Sequence, residues 1–347
     1  MIEMVCRVAL IGIGDMSTRF VAALMRKEGF VIVGAADSDP SKVGKDLGEY
    51  ANLAEVLNVK IERNTKAMLK REKPNVTLIA TTSFVKQILP LIVMTIRAGS
   101  NVITPAEEMI YLPAQYPRIA AKIDRLARRH NVAVLGTGAN PGFFPDTLII
   151  ALTAICLRVD SVRSARINDM AWGSMAVLKS LGVGFTPEEF EKGVRDGKIA
   201  GHVGFHESIH MIADKMGWKL DEVQIDKKPI VSKTRRIADI GLEVRPGTCA
   251  GCAEEARGIM NGKPVVELKL IQQIRPETEG IETGDFIWVQ GEPDINEAIK
   301  PGIRGSVSTA AMLLNAIPGL LEAKPGLHST AGLPSPHCFT KLQRAKR

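Results

Sequence analysis

The first 140 residues alternate short apolar runs with longer amphipathic stretches. Residues 5–11 form a nearly continuous apolar run, the pattern of a strand buried on both faces. Residues 16–27 follow with helical spacing, which places Phe20, Leu24 and neighbouring alanines on one face. Strand patterns recur at 31–36, 76–80, 101–103 and 132–135, and helical ones at 65–73, 88–98 and 116–130. Strands separated by helices predict a parallel sheet covered on both faces. Right-handed crossovers then give an α/β, doubly wound domain over residues 1–140.

Residues 141–305 read differently. Longer strand patterns at 158–168, 220–230, 235–244, 264–275 and 285–290 predict antiparallel pairing. Helical patterns at 187–195 and 206–216 sit among them, so the second domain is expected to be α+β. Asp146 precedes an apolar run at 147–157 that reads as a long helix. The remaining segment, 306–347, opens with a small-residue helix pattern at 306–317, expected to return to the first domain, and ends in a basic tail.

At 347 residues the chain suits roughly two domains at ~150 residues each. Its 45% hydrophobic and 24% charged residues exclude wholesale disorder. No apolar stretch reaches the ~20 residues of a bilayer span, because Lys86, Arg97, Asp146 and Arg158 close the longest two. Glu3 and Arg7 interrupt the opening residues, which therefore lack a signal-peptide pattern. A cytoplasmic protein with no membrane partner is expected. The net charge of +7, with clusters at 125–129, 233–236 and 341–347, raises nucleic acid as a partner. Only 3 Tyr, 3 Trp and 10 Phe are available for stacking, so none is expected. Positive charge suits an anionic cofactor equally well.

Five cysteines (Cys6, Cys156, Cys249, Cys252 and Cys338) make no paired framework. Cys249-Ala250-Gly251-Cys252 is a lone CxxC without a second ligand pair, read as two reduced thiols near a turn, and no metal is expected there.

Gly12-Ile13-Gly14-Asp15-Met16-Ser17 lies between the first strand and the first helix. It is a G-x-G-x-x-S variant of the dinucleotide fingerprint of Rossmann folds. Gly12 permits the tight turn, Gly14 a close pyrophosphate, and the helix amides at Asp15 and Met16 a phosphate site. The Asp15 carboxylate helps only if it points away. Asp37 ends the second strand, where an acid reads the ribose hydroxyls. It favours NAD over NADP, with Ser38 and Lys42 close enough to soften the preference. Thr81, Thr82 and Ser83 follow the 76–80 strand, where they either line the cofactor crevice or cap the next helix.

Thr104-Pro105-Ala106-Glu107-Glu108-Met109 follows another strand end. Glu107 and Glu108 are candidate acid/base groups, or else ordinary acids of a helix start. Gly136-Thr137-Gly138-Ala139-Asn140-Pro141-Gly142-Phe143 is a turn-rich junction that would place Asn140 and Pro141 beside cofactor and substrate. His206-Glu207-Ser208-Ile209-His210 matches the five-residue zinc-protease pattern, but a dinucleotide domain upstream is the wrong context for it. His202 and His206 are read as substrate contacts or as packing residues. Arg163 and Arg166 are candidates to clamp a substrate carboxylate, or are ordinary ion-paired residues.

At these residues the chain resembles the dihydrodipicolinate-reductase-like group that includes 2,4-diaminopentanoate dehydrogenase and the native amine dehydrogenases. The likeness is carried by residues 39–49, Glu107-Glu108, Asn140-Pro141-Gly142-Phe143, residues 201–214 and Asn315-Ala316-Ile317-Pro318. It implies a homodimer in which a Rossmann domain joins an α+β substrate and dimerisation domain. It also implies NAD or NADP, an amine or diamino acid deaminated to a ketone and ammonia, and a catalytic glutamate at 107 or 108. Asp15, Ser17, Ala106 and the CxxC depart from the family's pattern. Other readings are a cyclic imine reductase, a semialdehyde dehydrogenase or a non-enzymatic redox sensor.

Overall fold

The computed structural model describes residues 5–199 and 201–342; residues 343–347 of the basic tail lie outside them, as does Glu3. The chain divides into two units. One runs to Phe143 and resumes at Arg304, and the other is Phe144–Ile303.

The first unit begins with the predicted alternation: β1 (Cys6–Ile11), α1 (Asp15–Leu24), β2 (Phe30–Ala36), α2 (Leu47–Tyr50), β3 (Ile61–Glu62), α3 (Thr65–Glu72), β4 (Val76–Ile79), α4 (Val85–Arg97), β5 (Asn101–Thr104), α5 (Pro117–Arg129) and β6 (Ala133–Gly136). These strands carry no polar side because both sheet faces are covered. Phe20, Leu24, Leu313 and Leu320 pack on one face, and Met68, Ile88, Ile92 and Ile123 on the other.

The second unit contains α6 (Thr147–Leu152), β7 (Arg158–Asp169), α7 (Met175–Ser180), α8 (Pro187–Arg195), α9 (Phe205–Met216), β8 (Glu222–Val231), β9 (Arg236–Ile237), β10 (Glu243–Val244), β11 (Cys249–Met260), β12 (Lys263–Gln273), β13 (Gly284–Glu292) and β14 (Ile295–Ile299). Six of these strands form a sheet in the order β14-β13-β7-β12-β11-β8. Ile209 and Ile212 of α9 and Ile149 of α6 pack with Val162, Leu268 and Ile287 of this sheet.

The chain then returns to the first unit as α10 (Gly305–Asn315), α11 (Ile317–Glu322) and β15 (Gly326–Ser329). α10 packs on α1, and β15 pairs in parallel with β6. The completed first sheet runs β15-β6-β5-β4-β1-β2-β3, with every pair parallel. Its strand order reverses between β1 and β4, where open α/β sheets bind their ligands.

Four expectations are corrected. The pairing of β7 with β12 is parallel, so the second sheet is mixed rather than antiparallel. Residues 235–244 are not one strand; β9 and β10 form a two-stranded ribbon. The apolar run after Asp146 is helical for only six residues before a 3-10 turn at Thr153–Ile155. Its end is solvated, with Leu157 90% exposed, so the apolar pattern there does not mark burial. Cys249 and Cys252 lie within the twelve-residue β11 and not at a turn. A register shift between Cys249 and Gly251 interrupts the strand's alternation, and both thiols are buried in one cluster with Leu178, Phe190 and Ile274. Burial pushes the thiols up to about 11 and about 12, helped by nearby glutamate charges, so neither is a ready thiolate ligand. Among the described residues, no group of three or more His, Cys, Asp or Glu is placed to hold a metal ion.

Candidate active site

The loops that follow β1, β2, β4, β5 and β6 all leave the carboxyl edge of the parallel sheet. Gly12 has φ +83°, and a Cβ there would lie 2.5 Å from the Thr81 methyl and 2.7 Å from the Ala80 carbonyl oxygen. Only glycine fits both the backbone conformation and the close β1–β4 approach. A Cβ on Gly14 would meet nothing within 4 Å, so the start of α1 is open. Gly14 is the N-cap and provides no side-chain bond to the first-turn amides. An open helix start with free amides fits a dinucleotide pyrophosphate. Asp15 does not obstruct it, because its exposed carboxylate pairs with Arg19 at 2.8 Å, one turn along α1. Ser17 is buried, and its hydroxyl donates to the Gly12 carbonyl. The Met16 side chain packs toward the core.

Asp37 ends β2 with its side chain 9% exposed. It accepts the amides of Ile13 at 2.6 Å and Asp39 at 2.9 Å, which ties the glycine turn to the end of β2. Ser38 beside it is exposed. The hydroxyl residues after β4 divide by role. The Thr81 methyl covers Gly12. The Thr82 hydroxyl donates to the Gln87 side chain and accepts the Phe84 amide, the capping alternative. The Ser83 carbonyl accepts the Glu108 amide, and its side chain bonds the Glu107 carboxylate.

That bracket separates the two glutamates. They sit on a 3-10 turn, Glu107–Met109, directly after β5. Glu108 is 7% exposed and turns inward. Its carboxylate accepts the Val85 amide at 2.6 Å and the Tyr116 hydroxyl at 3.0 Å. Val85 is the first residue of α4, whose own N-cap Phe84 makes no side-chain bond. Glu108 is therefore a cap supplied from another loop, placed where the helix dipole favours an anion. Glu107 is half-buried, with Ser83 as its side-chain partner. Burial raises its pKa first; Ser83 lowers it and the Glu108 charge raises it further, leaving it above the ordinary 4.5. A partly shielded carboxyl with a raised pKa suits proton transfer.

Tyr116 was not legible as a site residue. The available signal was one of only three tyrosines at the start of an amphipathic helix, and the Lys86 ammonium lies 5.5 Å from its ring.

The β6 loop holds the acidic turn from behind. A Cβ on Gly136 would lie 2.3 Å from the Met109 carbonyl oxygen. Gly142 has φ +113°, and its Cβ would lie 2.4 Å from the Gly138 nitrogen. The Ala139 amide donates to Thr309 of α10 at 3.1 Å, and the Thr137 and Thr330 hydroxyls meet at 2.9 Å. This packing presents a half-buried Asn140 and a buried Pro141. Gly136→Ala is expected to push the Glu107 turn off β6, lowering kcat at least ~10-fold and stability by ~1–3 kcal/mol. Turnover and thermal unfolding check this, and wild-type values in both would refute it.

The candidates on the second unit are placed separately. Arg163 and Arg166 are three apart on β7 and face opposite sides of the sheet. Arg163 is exposed and lies 5.5 Å from the Trp288 ring. Arg166 is buried, 3.2 Å from Asp285, with a further bond to the Ile303 carbonyl. On this geometry Arg166 takes the ion-paired alternative, and Arg163, on the opposite face of the sheet, does not join it in one clamp. His202 donates its amide to Glu254, and its ring meets Phe205 edge-on at 4.9 Å. Burial, then the Arg166 charge, pushes its imidazole down to about 4, so it is neutral near pH 7. His206 and His210 share one face of α9, their ring centroids 6.3 Å apart. His210 Nδ1 is engaged by the His206 carbonyl oxygen at 2.7 Å. Burial and His210 lower the His206 pKa.

Residues 143–347 match the sequence profile of the 2,4-diaminopentanoate dehydrogenase C-terminal domain. A 2,4-diaminopentanoate dehydrogenase from Acetoanaerobium sticklandii is 39% identical over 339 residues, 96% of this chain and 94% of that protein. The chain belongs to the 2,4-diaminopentanoate dehydrogenase family. It is accordingly an oxidoreductase of the amine dehydrogenase class, acting on CH–NH2 groups with a nicotinamide cofactor. The imine-reductase, semialdehyde and sensor readings give way to this. An amine dehydrogenase from Streptomyces virginiae is 24% identical over 96% of this chain and 97% of its own. A solved amine dehydrogenase from Mycobacterium smegmatis shares the fold with TM-score 0.81 at 24% identity, covering 97% of this chain and 98% of that one. Among the described residues, no helix of this family member is long and apolar enough to cross a membrane.

Proposed function

We propose that the protein oxidatively deaminates a diamino acid of the 2,4-diaminopentanoate type to an amino-oxo acid and ammonia, with Glu107 as its acid/base residue and NAD as its first cofactor. One observation carries the reading. Of two adjacent carboxylates, Glu108 is spent as a helix cap, and Glu107 is left half-buried with a raised pKa. It lies at the edge of the sheet that bears the glycine turn and Asp37. The 39% identical relative, named for this substrate, supports the substrate class. Asp37 supports NAD, since a carboxylate at that position accepts ribose hydroxyls.

The bound nicotinamide supplies the acceptor for the hydride lost from the amine carbon. The other steps belong to the protein and water. The amine enters neutral, and its carbon–nitrogen bond becomes an iminium. The ionised Glu107 carboxylate offsets that positive charge. It then takes a proton from the attacking water, whose oxygen bonds to the iminium carbon. The same proton returns to nitrogen, and the freed carboxylate takes the hydroxyl proton as the carbon–nitrogen bond breaks with its electron pair on nitrogen; ammonia leaves, a ketone remains, and Glu107 passes its proton to solvent. Run backwards, the sequence is reductive amination.

Asn140 and Pro141, on the loop that follows β6 in the same unit as Glu107, are proposed as uncharged substrate contacts. The second unit is also proposed to dimerise. The sheet face opposite α9 carries Arg163, Phe286 and Trp288, with the two aromatic rings stacked 6.1 Å apart.

Purified protein supplied with NAD and 2,4-diaminopentanoate, simple aliphatic amines or a hydroxy acid tests the reading through formation of reduced nicotinamide. Expected is a kcat/KM on the diamino acid at least ~10²-fold above simple amines, the scale of discrimination that polar substrate groups give. Turnover confined to simple amines would remove the diamino-acid assignment and leave Glu107 in place.

A further inference from the structure

The loops that follow β4 and β5 are bonded directly to each other. The buried Thr104 hydroxyl, at the end of β5, donates to the Ile79 carbonyl at 2.7 Å and accepts the Ala106 amide at 3.1 Å. The Glu108 amide donates to the Ser83 carbonyl at 3.3 Å. The Glu108 carboxylate crosses the same gap to the Val85 amide. All these bonds use backbone or buried groups, so the spacing of Ser83 and Glu107 is set by the fold.

Within this frame the donors go against local preference. Ser83 directly precedes Phe84, the N-cap of α4, which makes no side-chain bond of its own. A serine beside a helix start ordinarily serves the free amides there. Here the Phe84 amide goes to Thr82, and the Val85 amide goes to Glu108, 23 positions away. The Ser83 side chain is kept off the helix and bonds the Glu107 carboxylate. A local preference overridden in this way, with the cap brought in from another loop, marks a functional position.

We infer that Ser83 is the positioning residue of the Glu107 carboxylate, holding one of its oxygens so that the other faces the reacting water. The inference rests on the reading of Glu107 proposed above. A serine hydroxyl has one proton to donate, so it occupies one carboxylate oxygen and leaves the second free. It also favours the ionised form, against burial and the Glu108 charge, which both disfavour it. Among the described residues packed around the turn, the Lys86 ammonium stands over the Tyr116 ring, and the Tyr116 hydroxyl donates to Glu108. The Glu108 charge is the one that reaches Glu107.

The test follows kcat against pH with 2,4-diaminopentanoate, or with the simple amine that turns over in its place. It uses wild type, Ser83→Ala, Ser83→Thr, Glu107→Gln and the double variant Ser83→Ala with Glu107→Gln. The limb that belongs to Glu107 is the one Glu107→Gln lacks. Ser83→Ala should move that limb up by about one pH unit, the scale of one hydrogen bond to a charge. It should also lower the plateau roughly tenfold, as a misplaced group does. Ser83→Thr, which keeps the hydroxyl, should keep the limb in place. Added to Glu107→Gln, Ser83→Ala should cost less than about threefold, because residues that act through one group are not additive. The Kd for NADH, measured by fluorescence, should be the same in wild type and Ser83→Ala. An unmoved limb in Ser83→Ala overturns the inference. So does an equal shift in Ser83→Thr, a full tenfold loss repeated on Glu107→Gln, or a loss of NADH affinity that accounts for the loss of rate. Wild-type turnover in Glu107→Gln overturns the reading of Glu107 itself, a result distinct from an unmoved limb in Ser83→Ala.

Discussion

Glu107→Gln is expected to lower kcat by ~10²–10⁴-fold, the range for loss of a positioned acid/base group, without loss of folding stability. The two parts of that expectation have one cause. Burial holds the Glu107 pKa above 4.5, so the folded chain binds this proton more tightly than the unfolded chain does. Ionising the group therefore costs stability as pH rises through that range, and a neutral glutamine removes the cost. The expected result is a poor catalyst with a thermal midpoint equal to or above wild type.

Glu108→Gln should behave in the opposite way. It weakens the bonds to Val85 and Tyr116 that seat the start of α4. The loss should be ~1–2 kcal/mol of stability, as for a helix cap, with a smaller effect on kcat. The wild-type pH profile supplies a third reading. Activity needs ionised Glu107, so it should rise with pH through a midpoint above 4.5, and that limb should be absent from Glu107→Gln. Equal turnover in the two variants would remove Glu107 from the chemistry.

The second large effect lies in the other unit. Glu279→Gln is expected to destabilise the protein by roughly 3–5 kcal/mol, the cost of leaving a buried charge unpaired. The Arg236 side chain is fully buried, and Glu279 is the carboxylate paired with it, at 2.7 Å. The same guanidinium donates to Ser232 at 2.7 Å and to Gln273 and the Ile274 carbonyl at 2.8 Å. This network joins the β9–β10 ribbon to the end of β12.

Burial alone would raise the Glu279 pKa. The Arg236 side chain, the Lys233 amide, the Ser232 hydroxyl and the Arg236 charge outweigh it and bring it down to about 2. A carboxyl depressed from 4.5 to about 2 contributes on the order of 3 kcal/mol. That contribution is complete above pH 4.5 and is lost as pH falls toward 2. Unfolding of wild type and variant should therefore differ most at neutral pH and converge in acid. A gap that does not change with pH would show that the ion pair is not its source.

Much of the first unit was legible because its physics is local. A strand covered on both faces must be apolar throughout, and a helix on a sheet must be apolar on one stripe, so the periodicity of residues 5–136 shows β1, β2, β4, β5 and β6 and the helices α1, α3, α4 and α5 in order, and misses only the short α2 and β3. The glycine turn was equally readable, since the φ at Gly12 and its contact with Thr81 demand the smallest residue. In the second unit, β11 was missed. Its sequence, CAGCAEEARGIM, has only one β-branched residue and does not alternate. It is extended because β8 and β12 pair with it along nearly its whole length. Neither strand is near it in propensity; β8 is also distant in the chain. Chain distance hid the partner of Arg166 instead: the 158–168 pattern already set Arg163 and Arg166 on opposite faces, but Asp285 lies on β13, far along the chain.

By itself, then, the sequence determined the doubly wound unit, its glycine turn after β1, an acid at the end of β2 and an acidic pair after β5. Those features depend on neighbours a few residues away. Only the tertiary structure decided which glutamate was free. Glu108 is claimed by Val85 and Tyr116, 23 and 8 positions away, while Glu107 keeps Ser83 and a raised pKa. Two adjacent glutamates are chemically identical until the fold buries one against a helix start, because a carboxylate's role is set by the donors it meets.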